Sequence, residues 1–463
     1  MDKEITKIYF VGAGGIGMAN LVRYYLRHGA KVAGYDRTPS ELTDQLQKEG
    51  AVLTFEDDEN EIPEIFRNAD DTLVVYTPAV PESNRILSFF RKSGHEVIKR
   101  SALLGKITRH TKAICVAGSH GKTTTSSMIA NILRESEPGC TAFLGGILRN
   151  TDSNLVLDES SDISVIEADE YDRSFHRLTP WIAIVTSTDP DHLDIYGDEA
   201  HYLEAFSHFT SLIREGGALL VHTGLKMVPD VKPGVKVQTY SGSSEGDWHA
   251  EDIRIGEGKI RFTLVGPDGL RIEDLSPGVP VEINIDNAVG AAAAALMAGA
   301  TEEDVRRGLG SFAGAKRRFE IYLDGSETES GVVLIDDYAH SPNEIRASIE
   351  SVRKLYPGRQ IAVIFQPHLY TRTRDFAPDF AEALSAADRV IMPEIYPARE
   401  EPLPGITSMT ILDKVKCDEK NYCERKDLLN LIKNSNFEIL MTLGAADIDR
   451  LLPGIEEELR NKR

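Results

Sequence analysis

Two glycine-rich turns, each entered from an apolar run and left through a helix-forming stretch, constrain this chain more than any other feature. The first, Gly12-Ala13-Gly14-Gly15-Ile16-Gly17, follows Ile8-Tyr9-Phe10-Val11. The second, Gly118-Ser119-His120-Gly121-Lys122-Thr123-Thr124-Thr125, follows Ala113-Ile114-Cys115-Val116-Ala117. A strand that turns on glycines into a helix begins a βαβ unit, and such units build parallel sheets covered by helices. The chain is therefore expected to be α/β, with each turn opening its own sheet.

At 463 residues there is room for about three domains of ~100 to 200 residues. The first, 1–107, is expected to be Rossmann-like, with further strands at 72–76 and 96–98 and helices at 40–49 and 82–93 between them. The second, 108–315, is expected to be P-loop ATPase-like, with a helix at 123–134 and strands at 163–166 and 182–185. From 217 to 284 the texture changes to short β runs broken by GEGK and GPDG turns, which predicts an antiparallel annex on the parallel sheet. Helices at 286–298 and after the cap-like T-E-E-D of Thr301 to Asp304 complete this domain. In the third, 316–463, strands at 332–335, 361–365, 389–392 and 438–442 alternate with helices at 342–355, 378–387 and 446–460, again Rossmann-like.

Chemistry follows from the turns. In the first, glycines let the backbone approach a diphosphate whose charge is met by the helix N-terminus, and Asp36 ends the next strand at the spacing of a ribose contact. A dinucleotide or a UDP-sugar presents the same group, and a turn serving packing alone is the plain alternative. The second turn is a contracted P-loop, with Val116 where the general pattern has its first glycine. Backbone N–H groups of Gly118, Ser119, His120 and Gly121 can cradle phosphates, Lys122 brings a point charge, and the Thr123 hydroxyl can ligate magnesium.

Carboxylates gather at the ends of the next strands, in Glu167-Ala168-Asp169-Glu170 and Asp189-Pro190-Asp191-His192-Leu193-Asp194, where a parallel sheet binds ligand and oxygen atoms suit Mg²⁺. His192 taken alone reads as a solvated or capping side chain. Further on, Asp336-Asp337-Tyr338-Ala339-His340-Ser341 and Gln366-Pro367-His368-Leu369-Tyr370-Thr371-Arg372 end strands with groups suited to ribose, phosphate or carboxylate, or else form surface loops. Arg317 and Arg318 are solvated charge, or reach a terminal phosphate.

The net charge of −21 disfavours bulk attraction to nucleic acid or anionic lipid. The longest weakly polar run, 288–300, is shorter than the ~20 residues of a membrane span, and the N-terminus lacks the order of a secretion signal. Cys115, Cys140, Cys417 and Cys423 form no CxxC pair and no disulfide framework. A cytoplasmic protein with reduced thiols is expected.

Taken together, these residues resemble the Mur ligase family of peptidoglycan synthesis, and within it the alanine-adding branch. The resemblance spans the chain through GAGGIGM at Gly12, YTPAVPESN at Tyr76, GSHGKTTT at Gly118, EADEYDRSF at Glu167, DPDHLDIYG at Asp189, NIDNA at Asn284, KRRFE at Lys316, DDYAHSPNE at Asp336 and FQPHLYTRTRD at Phe365. It implies ATP-dependent ligation of L-alanine to the lactoyl carboxylate of UDP-N-acetylmuramic acid through an acyl phosphate, with Mg²⁺. By resemblance, Gly12, Gly14, Gly15, Ile16, Gly17, Asp36 and Thr77 hold the UDP-sugar; Gly118 to Thr124, with Lys122 on the phosphates, hold ATP. Thr123, Glu167 and His192 match metal ligands, Asn284 and Asn287 adenine contacts, Arg318 a terminal-phosphate contact and Asp337 a ribose contact. Tyr338, His340, His368 and Arg372 match the amino-acid site, and the third domain is implied to close over ATP and the amino acid.

Ile283, Ser341 and Leu369 depart from the family pattern, where histidine, histidine and arginine are common. Residues 192–213 contain no lysine, unlike branches that use a carbamylated lysine there. A muropeptide-recycling ligase that adds a preformed tripeptide is the nearest rival, with a longer insertion expected after EADEYD; an NAD-dependent oxidoreductase built on GAGGIG is a remote one. Oligomeric state stays open.

Overall fold

The computed structural model describes residues 5–190, 193–314, 319–397 and 400–462. The chain divides into two compact units: Met1–Ser241 with Glu245–His249 and Val289–Gly308, and Gly242–Ser244 with Ala250–Ala288 and Leu309–Arg463.

The first unit opens with β1 (Lys7–Val11), α1 (Ile16–Arg27), β2 (Lys31–Tyr35), α2 (Glu41–Lys48), β3 (Val52–Thr54), β4 (Thr72–Tyr76), α3 (Arg85–Lys92), β5 (Glu96–Lys99) and α4 (Arg100–His110). Its sheet runs β3-β2-β1-β4-β5, all parallel. Helix starts are marked by side chains that satisfy otherwise unpaired N–H groups: Ser40 and Thr43 form a reciprocal capping box on α2, and Asn84 Oδ1 accepts from Leu87 N at 2.8 Å on α3. Tyr9, Phe66 and Phe90 pack as an aromatic core on one face. Because the strands run one way, Gly12, Asp36, Thr77 and Arg100 all emerge at one edge, just beyond the carboxyl ends of β1, β2, β4 and β5.

A second sheet in this unit contains β6 (Lys112–Ala117), α5 (Lys122–Leu133), β7 (Thr141–Leu148), β8 (Ser153–Val156), β9 (Ile163–Glu167), β10 (Ile182–Val185), α6 (Leu193–Tyr196), α7 (Glu199–Ser211), β11 (Ala218–His222) and β12 (Lys236–Ser241). The strand order is β12-β11-β10-β6-β9-β7-β8, and the first residues of β13 (Trp248–Gly256) run beside β12. β6 carries a five-residue apolar core run, buried from Ala113 to Ala117, as a central parallel strand requires. Phe206 of α7 meets Phe175 edge-on at 5.3 Å between centroids and Phe209 stacks on it at 5.1 Å, and full burial of each such ring stabilises the fold by roughly 1.5–3 kcal/mol.

The expected antiparallel annex is narrower than 217–284. β11 and β12 are parallel to each other and to β10, with Ile182 opposite Ala218 and Ala218 opposite Lys236. Helix α7 carries the chain back between β10 and β11, as a parallel pair needs. Antiparallel pairing occurs in β7–β8 and, in the second unit, between β14 (Lys259–Val265) and β15 (Arg271–Leu275).

α8 (Ile283–Met297) and α9 (Glu302–Gly310) follow; Thr301 caps α9 through Asp304, with a 3.1 Å bond from Asp304 N to Thr301 Oγ1. The rest of the second unit comprises β16 (Glu320–Asp324), β17 (Val333–Asp337), α10 (Pro342–Leu355), β18 (Ile361–Phe365), α11 (Tyr370–Asp375), α12 (Ala377–Leu384), β19 (Arg389–Met392), α13 (Met409–Leu412), β20 (Glu419–Tyr422), α14 (Leu428–Lys433), β21 (Ile439–Leu443) and α15 (Leu452–Arg460). The order is β16-β17-β21-β18-β19-β20, with β16 antiparallel and the others parallel. The α/β architecture with three sheets matches the expectation from sequence. Among the described residues no helix is long and apolar enough to cross a membrane.

Candidate active site

At the end of β1, Gly12 takes φ +90°, and the N–H groups of Gly12 and Ala13 both donate to Tyr35 O, at 2.7 and 2.9 Å. A Cβ at Gly12 would stand 2.5 Å from Thr77 Cγ2. Gly14 N donates to Asp36 Oδ2 at 2.7 Å, so the carboxylate expected to face a ribose also braces the turn. A Cβ at Gly17 would stand 2.4 Å from Arg100 Nη1, which places that guanidinium directly against the last glycine of the turn. A cavity of about 780 Å³ opens over the turn. Gly12, Gly14, Gly15, Ile16 and Gly17 line it together with Asp36 and Thr77, which unites every residue expected of the first cradle. Its wall then continues past Arg100 to Gly145, Glu167 and Asp169 of the second sheet.

The second turn leaves β6 through Gly118, at φ +145°, whose Cβ position is taken by Thr186 Oγ1 at 2.1 Å. Gly121, left-handed at φ +82°, is the N-cap of α5, so Lys122 and Thr123 begin the helix at its electropositive end. Neighbouring strand ends hold the turn: Ser119 Oγ donates to Asp189 O at 2.6 Å, and His120 N to Ser187 Oγ at 2.7 Å. Lys122 Nζ lies 2.5 Å from Gly118 O and reaches the Glu170 carboxylate. Thr123 Oγ1 donates to Glu167 Oε1 at 3.1 Å, while Gly145 N donates to Glu167 Oε2 at 3.1 Å. Tyr196 donates its phenolic O–H to Glu170 O, and burial, with Glu170 nearby, pushes that phenol's pKa upward and keeps the donor protonated. The hydroxyl of Thr123 and the carboxylate of Glu167 are hard oxygen donors side by side, a set that fits Mg²⁺, which takes one or two protein oxygens and completes its shell with phosphate and water. His192 and Arg318 lie outside the described residues.

In the second unit, Asn284 and Asn287 are buried on α8, with Asn287 Nδ2 donating to Asn284 Oδ1 at 3.0 Å. Asp337 ends β17 and accepts from Phe319 N at 3.3 Å. The aromatic and histidine residues expected to share a site do converge: ring centroids are 5.2 Å apart for Tyr338 and His340 and 5.4 Å for His340 and His368. Burial, followed by the charges of His340 and Arg372, pushes His368 down to about 4, so its imidazole is neutral near pH 7. Leu369, with φ +68°, breaks the backbone between His368 and α11, a conformation unusual for a branched side chain. Ser341, a departure from the family pattern, caps α10 in a reciprocal box with Glu344.

Family profiles for Mur ligases match three consecutive stretches: the Mur ligase family catalytic domain over 7–112, the Mur ligase middle domain over 116–295, and the Mur ligase glutamate ligase domain over 317–438. The chain belongs to the Mur ligase family. This Mur ligase is 54% identical over 456 residues to the UDP-N-acetylmuramate--L-alanine ligase of Parabacteroides distasonis, with 98% of each chain covered. It is 52% identical to the enzyme of that name from Phocaeicola vulgatus, again over 98% of each. Among solved structures it is similar to the UDP-N-acetylmuramate-alanine ligase of Thermotoga maritima, at 27% identity and a TM-score of 0.72 over 98% of both chains. A murein peptide ligase from Psychrobacter arcticus shares the fold, at 20% identity and a TM-score of 0.61 over 99% of both.

Sequence reasoning left three residues of this Mur ligase without a role. Glu170 was one carboxylate among several, and its pairing with Lys122 depends on how β9 and the P-loop meet. Gly145 sits in the β7–β8 hairpin, signalled only by a Gly-Gly pair inside an apolar run. Arg100 follows a strand of the first sheet, and the rule that ligands bind beyond strand carboxyl ends would have found it once β5 was placed beside β4.

Proposed function

We propose that this Mur ligase joins L-alanine to the lactoyl carboxylate of UDP-N-acetylmuramic acid, with conversion of ATP to ADP and phosphate, in peptidoglycan precursor synthesis. The observation that carries the reading is whole-length identity of 50–54% to several proteins bearing that one activity in their names. The geometry supports it, since a cavity that begins at a diphosphate-type turn ends at the carboxylate beside the P-loop.

In the proposed mechanism, 1–107 takes the UDP-sugar, 108–315 the ATP phosphates and 316–463 the amino acid. A carboxylate does not accept an amine directly, because oxide would have to leave. The lactoyl carboxylate instead attacks the γ-phosphorus of ATP, the bond to the β-phosphate oxygen breaks, and an acyl phosphate and ADP result. Lys122 and the backbone N–H groups of 118–124 would meet the charge that gathers on the transferred group, with Arg318 as a second cation. Mg²⁺, held by Thr123 and Glu167 with His192, would supply Lewis-acid neutralisation of the phosphate oxygens. The amine of alanine then adds to the activated carbonyl, the tetrahedral intermediate expels phosphate, and an amide remains. Asn284, Asn287 and Asp337 are proposed to hold the adenosine, and Tyr338, His340, His368 and Arg372 the amino acid. Free cysteines at all four positions accord with a cytoplasmic setting.

Incubation with UDP-N-acetylmuramic acid, MgATP and either L-alanine or the tripeptide L-alanyl-γ-D-glutamyl-meso-diaminopimelate tests the reading. Phosphate release and a product mass that depend on alanine are expected. Turnover with the tripeptide and none with alanine would transfer the assignment to the recycling reaction.

A further inference from the structure

We infer that Arg100 receives the carboxylate of the sugar nucleotide and holds it beside the phosphoryl-transfer carboxylates. The inference rests on the substrate reading above and adds the residue that positions the reacting group.

Four observations meet at this side chain. Arg100 opens α4 directly after β5, so it emerges at the same sheet edge as the first glycine turn. Its guanidinium occupies the space that a side chain at Gly17 would need, with Nη1 2.4 Å and Cζ 3.2 Å from the Cβ position. On its other side, Nη2 stands 3.8 Å from Asp169 Oδ2, inside ion-pair range but too far for a hydrogen bond. Arg100 and Arg37 are the cationic residues in the wall of the cavity, and Arg37 belongs to the Asp36 end, where the chain leaves β2. Arg100 is thus the cation at the end lined by Gly145, Glu167 and Asp169.

The chemistry demands a cation there. A substrate carboxylate that is to attack phosphorus must approach to about 3–3.5 Å, and the approach takes it toward Glu167 and Asp169, which repel it. A planar guanidinium can bind a carboxylate while one oxygen keeps a lone pair directed at the electrophile. The weak grip of Asp169 holds the fork in place without saturating its donors. The diphosphate, by contrast, has backbone N–H groups and a helix N-terminus at the first turn.

The discriminating pair of ligands is UDP-N-acetylmuramic acid and UDP-N-acetylglucosamine, which share the nucleotide and diphosphate and differ by the lactoyl carboxylate. Calorimetric titration without ATP is expected to show Arg100→Gln weakening the muramic acid ligand by about 10- to 100-fold, a loss of one charge-assisted contact, and the glucosamine ligand by less than about threefold. Arg100→Lys is expected to fall between, since it keeps charge and loses the fork. Unchanged ATP affinity certifies that each variant is folded. Equal weakening of both ligands would make Arg100 a diphosphate contact and overturn the inference, as would no weakening of either. Failure of the wild-type protein to bind UDP-N-acetylmuramic acid at all would sink the substrate reading instead, whatever the variants do.

Discussion

Lys122 Nζ lies 2.9 Å from each carboxylate oxygen of Glu170, a side chain only 2% exposed. The P-loop lysine is therefore held by an internal counter-ion, and a phosphate bound as proposed would have to draw it toward a new anion. Removal of one partner strands the other. Lys122→Ala is expected to end alanine-dependent phosphate release and to cost roughly 3–5 kcal/mol of stability, because a buried carboxylate loses its cation. Addition of Glu170→Gln should restore most of the stability and none of the activity, as chemical denaturation and a phosphate assay would reveal. Equal stability of Lys122→Ala and wild type would mean that the pair is not buried in solution.

Glu167 accepts from Thr123 and from Gly145 through different oxygens. Glu167→Gln keeps the shape and removes the charge, so phosphate release should fall by about 100-fold or more, and the Mg²⁺ needed for half-maximal rate should rise. A variant with unaltered Mg²⁺ dependence would remove Glu167 from the metal site.

Gly145→Ala addresses the same carboxylate from its other side. A Cβ there would stand 2.4 and 2.6 Å from the Glu167 oxygens, and the flexible carboxylate, not the backbone, would yield. The expected outcome is a fold stable to within about 1 kcal/mol of wild type, with a raised Mg²⁺ requirement and reduced turnover. Retention of full activity would show that Glu167 tolerates displacement.

His368 gives a pH signature. Its pKa is lowered from 6.5 to about 4 in the folded chain, so between those values the unfolded chain binds the extra proton. Stability attached to this residue is then fully present above pH 6.5 and is lost as pH falls toward 4. His368→Gln should flatten the stability curve across that window in denaturation experiments from pH 4 to 7. An unchanged curve would assign the acid sensitivity elsewhere.

Much of the site was legible because phosphate cradles need glycine, lysine and hydroxyl residues at fixed offsets where a strand turns into a helix, and the strand β6 and helix α5 flank Gly118 to Gly121 as that pattern requires, with Lys122 and Thr123 opening the helix. Local signals carried less about neighbours. The strands β11 and β12 have the same short apolar texture as an antiparallel pair would, and only the helix α7 before them sets their direction. That helix shows helical spacing at Tyr202, Ala205, Phe206 and Phe209, and its start is marked only by Gly197 and the Asp198 cap, which accepts from His201 N. Asp36 stands where the pattern wants it, but its bond to Gly14 N became visible only with the backbone folded. The pairing of Lys122 with Glu170 was hidden for the same reason, since the two residues belong to different strand–loop connections.

Three of the four glycines of the first turn are glycines for three different reasons. Gly12 bends into a left-handed conformation against Thr77, Gly14 leaves room for Asp36 and Thr43, and Gly17 yields its side-chain volume to Arg100. A motif scan reads all three as one phosphate signature, although the last position reports on an arginine from the far end of the same sheet. Replacement of that glycine would therefore act as a mutation of Arg100 in disguise, and a library that varies either position alone would miss that the two form a single character.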